Sequence, residues 1–281
     1  MIRSDWHIHS EQSYDAILPL ETLVRGAREL GLRRFGVTNH VNYNDESFIG
    51  NLLDTVRAVG EIQADCPELV LGVELTPVAK PAFDYLSKVP LLEGYTLPEQ
   101  DEPYELELAL TKEYLVSLGV RYAIGAAHWR LDLVDPNSAP DDVDGAIREW
   151  HRQQLYLASD PRVTVFGHPW WHGKGLWYND FSRIPRSMND ELIAALKESG
   201  KYVECNGKMF FSKLATDRFR HQYAEFMREI FEAGIPMTYG SDCHGKPGGV
   251  YHDRRPSALP YLTEVGFREG DFREIAEGDL W

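Results

Sequence analysis

Short apolar runs that end in a chemically active side chain recur along the whole chain. "MIRSDW" leads to His7 and His9, "RRFGVTN" to His40, "LVLGV" to Glu74 and "RYAIGAA" to His128. "RVTVFG" leads to His168, "KYVEC" to Asn206, and "IPMTYGS" to Asp242 and His244. Runs of this length and composition predict strands. Six of the seven end in a potential metal ligand. Between them the spacing of apolar residues predicts helices over 20–30, 52–62, 190–199 and 218–233, with Asn189 or Asp190 as the cap of the third and Gly234 closing the fourth. Alternating strands and helices predict a parallel sheet with crossover helices. Polar groups at every strand end favour a closed barrel, whose C-terminal strand ends converge on one mouth. The expectation is an α/β fold: a distorted seven-stranded (β/α)7 barrel occupying 1–281 as one domain.

Two segments break the alternation. Residues 77–105 are rich in Pro, Tyr and acidic side chains and precede a helix-like stretch over 106–118. Residues 172–186 contain Gly173, Gly175, Trp177 and Tyr178. Both follow ligand-bearing strands, so both are expected as loop insertions beside the site.

Composition narrows the class. The chain has 281 residues, 43% hydrophobic and 12% aromatic, which is enough for a sizeable core. No stretch approaches the roughly 18 apolar residues of a membrane span. The N-terminal "MIRSDWHIHS" lacks an apolar signal region, so a cytoplasmic protein with no membrane partner is expected. Cys66, Cys205 and Cys243 are odd in number and form no C-x-x-C pair, which argues against a disulfide scaffold. A formal charge of −15 argues against nucleic acid as a partner, because phosphate-backbone binding rests on Lys and Arg.

The candidate chemistry comes from the strand ends taken together. His7 and His9 form an H-x-H and, on an extended strand, point to one face. Asp242 and His244 repeat that spacing in "GSDCHG". Any one of these histidines alone is an ordinary loop residue. Six of the ten histidines at strand ends, joined by Asp15, Glu74 and Asp242, make a constellation suited to divalent metals.

The ordered motifs "DWHIHS", "GVTNH", "LGVEL", "IGAAHW", "FGHP" and "GSDCHG", spanning Asp5 to Gly245, resemble those of the PHP (polymerase and histidinol phosphatase) superfamily. The resemblance implies a distorted seven-stranded barrel holding up to three metals. It implies that His7, His9, Glu74 and Asp242 hold one ion, and that Glu74 bridges to a second held by His128 and His168. Asp15, His40 and His244 would hold a third, with Asp15 standing where many relatives have His. Relatives acting on histidinol phosphate have a "GH-x-D"-like stretch where this chain has "GHPWW".

The resulting expectation is a phosphoesterase with two to three divalent ions (Zn, Mn or Fe) and a small phosphorylated substrate, histidinol phosphate being the leading named one. A metal-bound hydroxide is the expected nucleophile, since a bound metal lowers the pKa of water from 15.7 to about 7. Asp242 is a candidate general acid. Arg130, Lys208 and Lys246 are candidate phosphate clamps, and Trp129, Trp170, Trp171 and Trp177 candidate pocket walls. Cys243, between two ligands, is expected to face away from them. An amide or cyclic-ester hydrolase on the same metals and a non-catalytic metal-binding domain are the alternatives, since fold alone does not fix chemistry.

Overall fold

Seven parallel strands follow one another around a nearly closed barrel. The computed structural model describes residues 2–86, 88, 95, 97–98, 102–128 and 142–281. In chain order the strands are β1 Ser4–Ile8, β2 Arg34–Val37, β3 His40–Val41, β4 Leu69–Leu75, β5 Val78–Ala79, β6 Leu106–Glu107, β7 Tyr122–Gly125, β8 Val165–Phe166, β9 Tyr202–Asn206 and β10 Met237–Gly240. The barrel runs β1-β2-β4-β7-β8-β9-β10, and β3 continues β2 alongside β4. It closes between β1 and the end of β10, where Ile8 bridges Cys243, the His9 N–H donates to Cys243 O at 2.9 Å and the Asp242 N–H donates to His7 O at 2.7 Å.

The helices among the described residues are α1 Leu20–Glu29, α2 Glu46–Ile62, α3 Lys80–Leu86, α4 Lys112–Ser117, α5 Val143–Ser159, α6 Arg186–Ser199, α7 Gly207–Phe211, α8 Asp217–Glu232 and α9 Arg255–Glu264. The predicted stripe of α1 is buried at Leu20, Leu23, Val24 and Ala27. Several boundaries differ from expectation. Helix α2 begins six residues early because the Asp45 carboxylate accepts the Ser47 and Phe48 N–H groups. Helix α6 begins at Arg186, so Asn189 and Asp190 lie inside it and neither caps it. The stretch expected as a helix over 106–118 starts instead as β6, antiparallel to β5; only Lys112–Ser117 is helical, capped by Thr111. The apolar pattern does not announce α5, because its buried face includes His151, Gln153 and Gln154.

The barrel interior is divided in two along its axis. At the N-terminal end Trp6, Val70, Tyr122, Ile124, Val165 and Tyr202 form an apolar plug with Ile275 and Leu280. Tyr122 fills the space beside Gly36 and Gly72; a Cβ at Gly72 would fall 2.6 Å from its ring. The C-terminal tail crosses this mouth. Glu277 pairs with Arg34 (3.0 Å) and Arg121 (2.7 Å), Asp279 accepts the Tyr202 hydroxyl at 2.8 Å, and the Trp281 carbonyl accepts Arg121 Nε at 2.8 Å. The other end of the interior is polar.

The register of β1 on β2 slips once: Asp5 pairs Phe35, but Ile8 pairs Val37. One extra residue therefore sits in β1, a bulge of the kind that re-aims side chains near a site. It lets Trp6 join the apolar plug while the next residue, His7, reaches the polar end.

Candidate metal centre

Glu74 occupies the middle of the polar end and is fully buried. Five imidazoles surround its carboxylate. Oε2 lies 3.2 Å from His7 Nε2, 3.4 Å from His9 Nε2 and 2.9 Å from His40 Nδ1. Oε1 lies 3.0 Å from His168 Nε2 and 3.4 Å from His128 Nε2. The pairing of β3 on β4 sets His40 opposite Glu74.

Three groups of side chains have ligand atoms close enough to share an ion: His7, His9 and Asp242; His40, Glu74 and His128; and His9, Asp15, His40 and His244. These groups contain eight of the nine residues picked out in the sequence, and the ninth, His168, joins them through Glu74 Oε1, so all nine gather at the C-terminal end of the barrel. His9 stands between two groups, its ring 4.3 Å from that of His40 and 4.1 Å from that of His244. His40 faces Glu74 with Nδ1 and Asp15 with Nε2, the latter at 3.3 Å. Asp15 Oδ2 is also 3.0 Å from His244 Nε2. The floor is buried, whereas Asp15, His128 and His244 are partly open to solvent at the rim.

The donor set fits divalent cations. Glu74 Oε2, His40 Nδ1, His9 Nδ1 and His168 Nδ1 are buried without hydrogen-bond partners. Buried polar atoms are almost always paired, so the unpaired Glu74 Oε2 and His40 Nδ1, 2.9 Å apart in the middle of the cluster, are where a cation would complete the set; His9 and His168 turn Nε2, not Nδ1, toward Glu74. The outward ring nitrogens explain how the others are aimed. The Thr76 hydroxyl donates to Asn42 Oδ1 (2.7 Å) and faces His128 Nδ1 at 2.8 Å. His244 Nδ1 lies 3.0 Å from the Asp242 carbonyl, which can only accept. His7 Nδ1 lies 2.8 Å from Glu204 Oε1. In each case Nε2 is left to face the centre, the arrangement that orients metal-binding histidines.

Charge states follow from the same packing. Burial opposes ionisation of Glu74, but His7, His40 and His128 outweigh it and hold the carboxyl well below its usual range. Asp242 is likewise depressed, Lys208 and His9 prevailing over burial. Burial, helped by His244 and His40, pushes His9 well down. Burial also lowers His128, to about 4. Burial opposes charge on His7 and His40 as well, but Glu74 and Glu204 raise His7 well above its usual value and Glu74 and Asp15 raise His40 to about 9, so these two hold a proton that a bound ion would displace. Ionised carboxylates and neutral imidazoles are the forms that bind metal.

Backbone strain collects here. The non-glycine residues with positive φ among those described are His168 (20°), Trp170 (59°) and Asp242 (52°). Asp242 and His244 were expected on extended backbone; instead β10 ends at Gly240 and Asp242 turns left-handed. Its neighbours hold that turn: the Ser241 N–H donates to Asp5 Oδ1 at 2.8 Å, and the buried Arg254 guanidinium donates to the Ser241 (2.8 Å) and Asp242 carbonyls. Strain of this sort persists only where the surroundings over-determine it, which is typical of functional sites.

The remaining expectations divide. Lys208 enters the site, its Nζ 3.1 Å from Asp242 Oδ2. Arg130 and Trp129 lie outside the described residues. Lys246 lies in a local turn, its backbone paired with Val250. Of the tryptophans, Trp170 and Trp177 are wholly buried and therefore packing residues; Trp171 is half-buried, 5.3 Å from the His128 ring and 5.5 Å from that of His168. Cys243 is buried away from the ligands, its Sγ accepting the Gly245 and His252 N–H groups at 3.3 Å. Glu204, Thr76 and Asn42 were missed. The one signal for Glu204 was a charged residue within an otherwise apolar strand, two before Asn206.

Residues 5–208 match the family model described as the PHP domain. The chain belongs to this family. No curated protein matches it. The PHP barrel is shared with the histidinol phosphate phosphatase HisK of Lactococcus lactis, whose structure holds zinc, L-histidinol and phosphate. The TM-score is 0.67 at 16% identity, over 95% of this chain and 94% of that one. A chain from the structures of the metal-dependent tyrosine phosphatases YwqE of Bacillus subtilis and CpsB of Streptococcus pneumoniae aligns with a TM-score of 0.43 at 12% identity, over 95% of this chain and 88% of that one. No helix among the described residues is long and apolar enough to cross a membrane.

Proposed function

We propose that this PHP-family chain is a metal-dependent phosphoesterase acting on a small phosphorylated metabolite. Two to three divalent ions (Zn, Mn or Fe) are held by His7, His9, Asp15, His40, Glu74, His128, His168, Asp242 and His244. The observation that carries this is the buried Glu74 carboxylate with imidazole nitrogens 2.9–3.4 Å from both of its oxygens and no hydrogen bond on Oε2. Bound ions would supply Lewis-acid polarisation of a phosphoryl oxygen and a water of lowered pKa.

The chain's own residues supply the rest. Lys208 presents a partly exposed ammonium group beside Asp242 and is placed to receive a phosphate oxygen. Trp171 forms an apolar wall beside His128 and His168, suited to exclude water from one flank of the substrate. Asp242 is held ionised beside Lys208, so it is the candidate for taking a proton from the attacking water and then handing that proton to the leaving oxygen. The fold shared with HisK, together with its zinc, L-histidinol and phosphate, supports histidinol phosphate as the first substrate to test.

The test is phosphate release from histidinol phosphate, sugar phosphates, nucleotides and p-nitrophenyl phosphate with added Zn or Mn. Release from small monoesters, lost on chelation and restored by metal, is expected. Metal-loaded protein that releases phosphate from none of them would overturn the proposal.

A further inference from the structure

Glu204 is a buried carboxylate on β9, inside the barrel beneath the candidate ligands. Each of its hydrogen-bond partners among the described residues is a nitrogen. Oε2 accepts the backbone N–H of His168 at 2.7 Å and Asn206 Nδ2 at 3.1 Å. The orientation of the Asn206 amide is fixed from its other side, where Oδ1 accepts the Lys208 N–H at 2.8 Å. Oε1 faces His7 Nδ1 at 2.8 Å. As a carboxylate Glu204 can only accept, so the His7 nitrogen facing Oε1 carries the proton.

We propose that Glu204 is a positioning residue of the metal centre, fixing His7 in the tautomer whose Nε2 lone pair faces Glu74 and His9, and pinning the backbone of His168. The inference rests on the metal-binding reading above. Two independent features agree with it. The neighbouring strand is bare at this point: a Cβ on Gly240 would fall 1.9 Å from Glu204 Oε1 and 2.4 Å from the His7 Cβ. His168, whose N–H Glu204 holds, is one of the residues with positive φ. A single carboxylate therefore ties together His7, which faces one oxygen of Glu74, and His168, which faces the other. Asn206 extends the tie to Asp242, with Nδ2 3.4 Å from Oδ2.

The Glu204→Gln substitution isolates this role because it keeps the shape. Glutamine offers one acceptor oxygen and an NH2 group to a pocket of three donors. At least one donor then faces a donor, unless His7 adopts the tautomer that places a proton on Nε2. Zinc affinity should be measured on chelator-stripped protein against a competing chelator, alongside thermal unfolding of the stripped and zinc-loaded forms. The expected result is a loss of about 10- to 100-fold in zinc affinity, with a smaller zinc-induced rise in Tm than in the wild type. Glu204→Asp, which keeps both acceptor oxygens one methylene further back, should recover part of the affinity. Gly240→Ala, which presses on the same pair without altering a charge, should weaken zinc binding in the same direction. A purely structural Glu204 would lower the Tm of the stripped protein and leave zinc affinity and the zinc-induced rise as in the wild type; that outcome overturns the inference alone. A wild-type chain that takes up no zinc overturns the metal-centre reading and this inference with it.

Discussion

Lys208 and Asp242 form an ion pair at the open side of the candidate centre, with Nζ 3.1 Å from Oδ2 and 3.3 Å from Oδ1. The same ammonium group stands 5.4 Å from the centroid of the Trp171 ring. Lys208 is held over the site from two directions, while about a third of its side chain remains exposed.

If Lys208 meets phosphate, Lys208→Ala removes a charge-assisted hydrogen bond worth about 1.5–3 kcal/mol. The expected loss in kcat/KM is roughly ten- to a hundred-fold, with metal content unchanged. Lys208→Arg should retain more activity than Lys208→Ala, since a single ammonium acts as a point charge. Steady-state kinetics measured together with elemental analysis decide it. A change under about two-fold would make Lys208 a solvated partner of Asp242 and nothing more.

Glu74 and Cys243 give a contrasting pair. Glu74→Gln removes the charge that the surrounding imidazoles face, so metal content and phosphate release should fall together. Cys243 lies away from the ligands, and burial pushes its thiol up. Cys243→Ala should leave turnover within a few-fold. Loss of activity in Cys243→Ala at full metal content would assign the thiol a role the geometry denies it.

The tail gives a stability prediction separate from the chemistry. Ile275 is 1% exposed and completes the plug around Trp6 and Tyr122. Ile275→Ala should cost about 2–5 kcal/mol in chemical denaturation. Metal affinity should not move, because the plug lies at the opposite end of the barrel interior. A cost below about 0.5 kcal/mol, the level of surface substitutions, would show that the tail is not part of the core.

Asp160 supplies the pH dependence. It accepts the Arg162 backbone N–H at 2.8 Å and guanidinium Nη2 at 2.6 Å. Burial raises its pKa, but Arg162 prevails and holds the carboxyl below its usual value. A depressed carboxyl contributes stability above its unfolded-state value and loses it as pH falls through the folded value, so the window lies below about pH 4. Asp160→Asn should therefore cost about 1–3 kcal/mol at pH 7 and progressively less toward pH 3. Denaturation at both pH values checks this, and an equal cost at each would exclude the ion pair as its source.

The sequence by itself determined the barrel and which residues gather at its C-terminal end. Strand runs are local, and each carries its candidate ligand within or just past its C-terminal part, so His7, His9, His40, Glu74, His128, His168 and Asp242 could be placed from short-range pattern alone. Closure of the barrel then brings them together wherever their partners lie in the chain. What only the tertiary structure decided depends on contacts between distant segments. Glu204 reaches His7 across 197 residues, and Thr76 reaches His128 across 52. Neither pairing leaves a periodic trace in its own strand. The burial of Trp170 and Trp177, the left-handed turn at Asp242 and the tail across the barrel mouth are of the same kind. Each follows from which surfaces meet once the sheet has closed, and a hydrophobic pattern read along the chain carries information about a residue's own strand or helix but not about what packs against it.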